Sequence, residues 1–280
     1  MKSRCLFIAF CFALISLSYA QTEKMKTWEA EGDTLLDHEN FDGALKAFSK
    51  IIKASKEKDK FYYSILYKTA ISYYSLGRFD EALKALNEFV PAYPSFPQAY
   101  LLRAFIFREK EDSEGQLTNL EEAMKLQPGN PDVLKWRAQL YMDENKYELA
   151  KKDLKQVRFI QDDPEVETYL GLAYFNTDQP DSAFISLKKS MELDATYQPA
   201  YLYAGSFSLQ NEQYNQALTY LNLALRLDPK NYTALFYKGV ALIEKEKINE
   251  GCSCLAKAFY TGKIDDAGDY LKQYCYGEEN

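Results

Sequence analysis

Small residues return at a nearly constant interval along this chain, and that interval restricts the possible folds more than any other feature. In the stretch 198–231, Gly205 and Ala217 lie 12 residues apart, where two helices of a hairpin would touch closely. Tyr201 and Leu221 recur at helical spacing around that contact. Pro229 then ends the second helix, because proline cannot continue a helix. The pattern recurs every 33–34 residues, with one longer step.

Three columns of equivalent positions define the repeat. The small position of the first helix holds Gly32, Ala70, Ala104, Ala138, Gly171, Gly205 and Gly239. The small position of the second helix holds Ala44, Ala82, Gln116, Ala150, Ala183, Ala217 and Gly251. Four residues later comes a column that is always apolar: Phe48, Leu86, Leu120, Leu154, Leu187, Leu221 and Leu255. Since no stretch alternates apolar and polar residues as a strand would, the columns predict an all-α stack of seven helix hairpins.

This pattern resembles the tetratricopeptide repeat, a hairpin of two helices with small and large apolar residues at fixed positions. The resemblance implies a right-handed superhelical solenoid, in which stacked repeats share one continuous core. In repeat five, Glu167 departs from the family pattern, which has a large apolar residue there. The solenoid is expected over 21–280, with repeats at 25–58, 63–96, 97–130, 131–163, 164–197, 198–231 and 232–263 and a capping helix at 264–276.

The first 20 residues have the pattern of a secretory signal peptide. Lys2 and Arg4 give a positive end, and an apolar run of 12 residues follows from Leu6. Small residues at Ser18 and Ala20 predict cleavage after Ala20. The apolar run is too short for a membrane-spanning helix, which needs about 20 residues. The mature chain is therefore expected to be periplasmic or secreted, without a transmembrane span.

The composition argues against nucleic-acid binding and against most catalysis. The formal net charge is −7, so phosphate backbones would be repelled. His38 is the single histidine, and Cys252-Ser253-Cys254 lacks the C-x-x-C spacing of redox and zinc sites. No carboxylate is paired with an apolar pocket in a way that indicates a general acid or base. We therefore expect no enzyme activity, no cofactor and no metal.

In the tetratricopeptide family, ligands lie on the inner-face positions of the first helices. One such position reads Lys68, Leu102, Trp136, Tyr169, Tyr203 and Tyr237 in repeats two to seven, so four successive repeats present an aromatic residue. Aromatic residues in a concave surface are typical of binding hot spots. Three interpretations are open: the rings are structural, they line a groove for a partner segment, or they stack on a carbohydrate. The candidate partner-binding residues are Tyr67, Tyr74, Phe105, Arg108, Lys135, Trp136, Gln139, Tyr169, Phe175, Tyr203, Phe236 and Tyr237.

A clamp for a peptide's terminal carboxylate, known in this family, is not expected. Only Lys135 matches its required residues, because Gln139, Tyr169 and Tyr203 stand where the clamp needs asparagine or a cation. Arg108 and Lys135 form a small positive spot on the inner face, unless they pair with the nearby Glu109 or Asp132.

The three cysteines beyond the predicted signal peptide suggest one disulfide. In the family, the residue after the second-helix small position faces the following repeat, which for Cys252 is the capping helix. Cys254 is two residues further and points about 200° away around the helix axis. Cys275 lies near the end of the capping helix. A Cys252–Cys275 bond is therefore expected, with three buried, reduced thiols as the alternative.

These features predict a non-catalytic protein–protein interaction scaffold of the periplasm or cell envelope. The expected partner is an apolar protein or peptide segment bound on the aromatic inner face, within a possible envelope complex. A glycan-binding module that uses the same face is the alternative. With its predicted signal peptide and its Tyr-Cys capping helix, the chain resembles tetratricopeptide repeat proteins that are found in the envelopes of gram-negative bacteria.

Overall fold

The computed structural model describes residues 22–276, and the predicted signal peptide and its cleavage site after Ala20 lie outside this range. The chain divides into two compact units between Val133 and Leu134. Within the described residues every regular element is an α-helix, and no helix is both long and apolar enough to cross a membrane. The all-α solenoid of tetratricopeptide-like hairpins predicted from the sequence is confirmed.

The first unit contains three helix hairpins, and each hairpin packs against the next. Its helices are α1 (22–37), α2 (Phe41–Ala54), α3 (Lys60–Ser75), α4 (Phe79–Ala92), α5 (Pro97–Glu109) and α6 (Ser113–Leu126). One cluster of buried side chains, including Phe48 and Ile65, joins α2 to α3. A second cluster, including Leu86 and Ile106, joins α4 to α5. Consecutive hairpins of this unit therefore share a core.

The second unit contains four hairpins and a final single helix. The first three residues of α7 belong to the first unit. Its helices are α7 (Pro131–Asp143), α8 (Tyr147–Ile160), α9 (Pro164–Phe175), α10 (Pro180–Leu193), α11 (Gln198–Gln210), α12 (Tyr214–Leu227), α13 (Tyr232–Glu244), α14 (Ile248–Tyr260) and α15 (Asp265–Tyr274). Arg137 on α7 makes a two-pronged ion pair with the buried Asp153 on α8, with N–O distances of 2.7 and 2.8 Å. Leu271 of α15 packs on Leu255 of α14, so α15 covers the last hairpin.

Close helix approach explains the columns of small residues. A Cβ atom added to Gly205 would lie 2.6 Å from the Cγ atom of Leu221, and one added to Gly239 would lie 2.7 Å from the Cγ atom of Leu255. Such distances are too short for carbon atoms in van der Waals contact. The large residues of the third column fill the remaining space, and all seven have no exposed surface.

The helices begin and end with recognisable local chemistry. Asn40, Asp59, Asp112 and Asn231 accept hydrogen bonds from backbone N–H groups in the first turns of α2, α3, α6 and α13. Between the two helices of every hairpin, one residue takes a left-handed backbone conformation. These residues are Glu39, Gly77, Glu111, Asn145, Asp178, Glu212 and Glu246. The N–H group of the next residue bonds to a carbonyl five residues earlier, which closes the first helix with a Schellman-type turn.

Candidate functional site

A cavity of about 400 Å³ opens in the second unit at inner-face positions of α11 and α13. Residues from the end of α11, the beginning of α12, the length of α13 and the middle of α15 line it. Its volume lies in the range of small-ligand sites. The lining residues are Leu209, Gln210, Tyr214, Phe236, Tyr237, Val240, Glu244 and Tyr270.

Four aromatic rings give this cavity its character. The rings of Phe236 and Tyr270 are 5.7 Å apart between centroids and nearly perpendicular, at 77°. The rings of Phe236 and Tyr237 are 5.3 Å apart. Edge-to-face contacts of this kind hold aromatic rings in fixed orientations. The capping helix contributes Tyr270 directly, so the cavity depends on α15 for one of its rings.

The cavity also lies in a negative electrostatic environment. Burial, followed by the charge of Asp266, raises the pKa of Tyr237. Burial, followed by the charges of Tyr274, Glu244 and Asp266, raises the pKa of Tyr270. The lining residues include one carboxylate, Glu244, and no lysine, arginine or histidine.

The other predicted aromatic residues of the second unit are half-buried at the edge of the core. The ring of Phe175 stacks on that of Phe207, with centroids 3.8 Å apart. Tyr203 packs on the same cluster, and burial raises the pKa of its hydroxyl and that of Tyr169. Trp136 is half-buried as well. Each of these side chains is therefore partly packed against its neighbours and partly exposed to solvent.

In the first unit, the predicted residues are half-buried or exposed, and several belong to a packed aromatic cluster. The ring centroid of Tyr67 lies 5.0 Å from that of Phe96 and 5.3 Å from that of Phe89. Burial raises the pKa of Tyr67 to about 12. Tyr74 lies 6.1 Å from Phe79, again between ring centroids. Structural packing accounts for much of this part of the predicted set.

The two predicted cations are both paired with carboxylates. The Arg108 guanidinium lies 2.9 Å from the carboxylate of Glu109, which the sequence offered as a nearby partner. It also lies 5.5 Å from the ring centroid of Phe105. The Lys135 ammonium lies 3.0 Å from Asp163 and 3.3 Å from Glu165, and not beside Asp132. Gln139, four residues after Lys135 on α7, is exposed. Their positive charges are therefore largely neutralised.

The cysteines lie at the junction of α14 and α15. The structure joins Cys252 and Cys275 by a disulfide, with Cα atoms 5.8 Å apart. Cys254 is a half-buried free thiol, and burial raises its pKa. Within the described residues, no cluster of three or more histidine, cysteine or acidic side chains is arranged to hold a metal ion.

The sequence did not predict two features of the second unit. The first is the remaining lining of the cavity around Phe236 and Tyr237. Leu209, Gln210 and Glu244 occupy inner-face positions near helix ends, so the repeat pattern contained a signal for them. Tyr214 and Tyr270 lie outside any first helix of a repeat, and no column points to them. The second feature is a cleft of about 570 Å³ lined by residues of α8, α9 and α10, where Arg158 donates to the buried Glu167 and, at 2.9 Å, to Ser186.

Comparison with known proteins agrees with this architecture. The model of the family described as "Tetratricopeptide repeat" matches residues 29–95, 67–131 and 208–249, together more than half of the chain. The TPR repeat-containing protein YpiA of Bacillus subtilis is 28% identical over 142 residues. That alignment covers 50% of this chain and 34% of YpiA, so the chain matches about a third of this relative's length.

Solved structures show the same fold at low sequence identity. A tetratricopeptide repeat protein from Parabacteroides merdae superposes with a TM-score of 0.72 at 12% identity, covering 89% of this chain and 98% of that one. YrrB, described as a TPR protein with an unusual peptide-binding site, superposes with a TM-score of 0.51 at 18% identity, covering 68% and 98%. Together with the family match, the seven hairpins and their buried columns show that the chain belongs to the tetratricopeptide repeat family.

Proposed function

We propose that this protein is a non-catalytic scaffold of the bacterial cell envelope that binds an apolar segment of a partner protein through its inner-face aromatic residues. Tetratricopeptide repeat proteins bind peptide or protein partners, and this fold supports an interaction scaffold. The observation that carries the proposal is the set of half-buried inner-face aromatic residues, Trp136, Tyr169, Tyr203 and Tyr237. Tyr237, with Phe236, also lines an open cavity of ligand size whose other walls are mainly aromatic and aliphatic.

Two further features support the envelope location. Lys2, Arg4 and the apolar run before Ala20 have the pattern of a cleaved signal peptide. The disulfide between Cys252 and Cys275 is of the kind that persists in oxidising compartments such as the periplasm. Both are independent of the proposed binding face.

Affinity capture tests the binding face. The mature chain, beginning at Gln21, is immobilised and exposed to envelope extract beside a Trp136→Ala/Tyr203→Ala double variant. We expect the double variant to lose the captured protein while its far-ultraviolet circular dichroism remains that of the parent. Phe159→Ala is the matched control, because this ring is 92% exposed and lies on a second helix, away from the inner-face positions.

Three results would contradict the proposal. Unchanged capture by the double variant would make the aromatic residues structural. Loss of helical signal in that variant would place them in the core. Retention of an envelope polysaccharide in place of a protein would favour glycan binding.

A further inference from the structure

We propose that the cavity between α11, α13 and α15 receives a lysine or arginine side chain of the partner segment. The inference rests on the proposed scaffold function and specifies what this one cavity recognises. Its basis is the combination of four aromatic rings with the Glu244 carboxylate in a single cavity. Aromatic faces attract cations through their quadrupole, and a ring group that surrounds a cation is a recurrent recognition device.

The charges around the cavity favour a cation over a neutral or anionic group. Glu244 lines the cavity, and Asp266 lies near enough to influence both Tyr237 and Tyr270. Lys245 borders the neighbouring cleft, where its ammonium group donates to Asn215. The whole chain has a formal net charge of −7, which attracts cations at long range.

The shape of the cavity favours a long side chain with an apolar stem. Leu209 and Val240 provide aliphatic surface, while the rings of Phe236, Tyr237 and Tyr270 provide aromatic surface. Lysine and arginine bury their methylene stems on such surface and keep the charged end beside polar groups. A volume of about 400 Å³ has room for one such side chain with its adjoining backbone.

The first experiment measures the preference of the cavity with small probes. The mature chain carries ¹³C-labelled tyrosine, and the ring signals of Tyr214, Tyr237 and Tyr270 are followed during titration. The probes are n-butylammonium and n-propylguanidinium, with n-butanol and butyrate as the neutral and anionic analogues. We expect the cations to shift these signals at millimolar concentrations and the other two probes to bind at least tenfold more weakly.

Two variants of equal charge identify the carboxylate responsible. Glu244→Gln should weaken binding of the cationic probes about threefold to tenfold. Glu246→Gln removes the same charge from a turn residue outside the cavity lining, and should leave the affinity unchanged. The inference would be overturned if n-butanol bound as tightly as the cationic probes, or if Glu244→Gln bound the cationic probes as tightly as wild type. A stronger response to neutral sugars than to the cationic probes would overturn it as well.

The captured partner separates this inference from the scaffold proposal. A partner that binds Glu244→Gln as tightly as wild type but fails to bind Trp136→Ala/Tyr203→Ala would refute the basic side chain and leave the scaffold standing. A partner weakened by Glu244→Gln, and equally weakened when one of its own lysines or arginines is replaced by methionine, would support the inference.

Discussion

At the scale of single residues, the most unusual group is the carboxylate of Glu167. It is 3% exposed and sits where the family pattern has an apolar residue. Arg158, from the preceding helix, donates to it and to Ser186. A buried carboxylate is stable only when charge and hydrogen bonds compensate for the lost water. The departure from the pattern is therefore accommodated by one charged partner on the neighbouring helix α8.

We predict that Arg158→Ala destabilises the second unit by about 3 kcal/mol, because it leaves Glu167 buried and unpaired. This is the lower end of the range for buried pairs, since the Arg158 side chain is 37% exposed. Urea unfolding followed by circular dichroism measures the change. The double variant Arg158→Leu/Glu167→Leu should recover most of the loss by restoring an apolar contact. A double variant as unstable as Arg158→Ala would disprove this account.

At the scale of elements, the beginning of α9 is held by a single side chain. Asp163 accepts hydrogen bonds from the N–H groups of Glu165 and Val166, at 2.9 and 3.4 Å. It also pairs with Lys135 of α7. Desolvation acts to raise the pKa of Asp163, but the hydrogen bond and charge of Lys135, with the two backbone donors, outweigh it and lower the pKa. One carboxylate therefore starts α9 and ties it to the preceding hairpin.

This lowered pKa has a direct consequence for acid stability. An acid with a lowered pKa in the folded state stabilises the fold above its unfolded value of about 3.9, and the contribution is lost as the pH falls through the folded value. We predict that Asp163→Asn lowers the free energy of unfolding at pH 7 by about 1 kcal/mol and flattens its decline as the pH falls below about 4.

The neighbouring Asp162 supplies the control for this experiment. Its side chain is 66% exposed and lies 3.3 Å from Lys189. Asp162→Asn removes the same charge but should change stability by less than about 0.5 kcal/mol. The measurement is urea unfolding at a series of pH values. An acid limb that is equally steep in wild type and Asp163→Asn would refute the assignment.

The capping helix α15 is the element whose loss should matter most. Leu271 is 2% exposed, and it covers Leu255 and Ala258 of α14. Deleting the chain from Ile264 onward would expose that surface and remove the disulfide, which closes a 23-residue separation. In the chain-entropy model such a loop contributes about 3 kcal/mol, or about 6–12 °C in melting temperature for a protein of this size.

We expect the melting temperature of the truncated chain to fall by at least about 6–12 °C, and we expect the chain to associate through the exposed face of α14. The truncation includes Cys252→Ser, so that no new thiol links two copies. Deletion of 277–280 alone, which leaves α15 in place, is the control. Calorimetry and light scattering measure the outcome. A truncated chain that stays monomeric and equally heat-resistant would rule out the capping role.

At the scale of the whole molecule, periodicity alone predicted the fold. The column from Phe48 to Leu255 repeats seven times, and each member is fully buried because each hairpin places it at the same helix contact. The turns gave no such signal, since only Gly77 among the seven left-handed turn residues is glycine. The fixed distance between the small residues of paired helices located the turns instead.

The candidate site was less predictable, because it depends on contacts outside the repeat. Phe236 and Tyr237 come from inner-face positions of the pattern, whereas Tyr270 comes from the single capping helix. The partners of Lys135 are 28 and 30 residues away in the next hairpin. Such pairings follow from how two helices meet in space, which a column of equivalent positions does not specify.

The disulfide at the end of the chain also determines how the molecule transmits mechanical load. A pull applied to the chain at Cys275 passes through the covalent bond straight to Cys252 in α14. The 23-residue separation between them is bypassed, so α15 is sheltered from the force. At about 3.5 Å per extended residue, the oxidised chain is about 80 Å shorter at full stretch than the reduced one. Tension applied at this end is therefore carried first by the last hairpin, not by the helix that closes the stack.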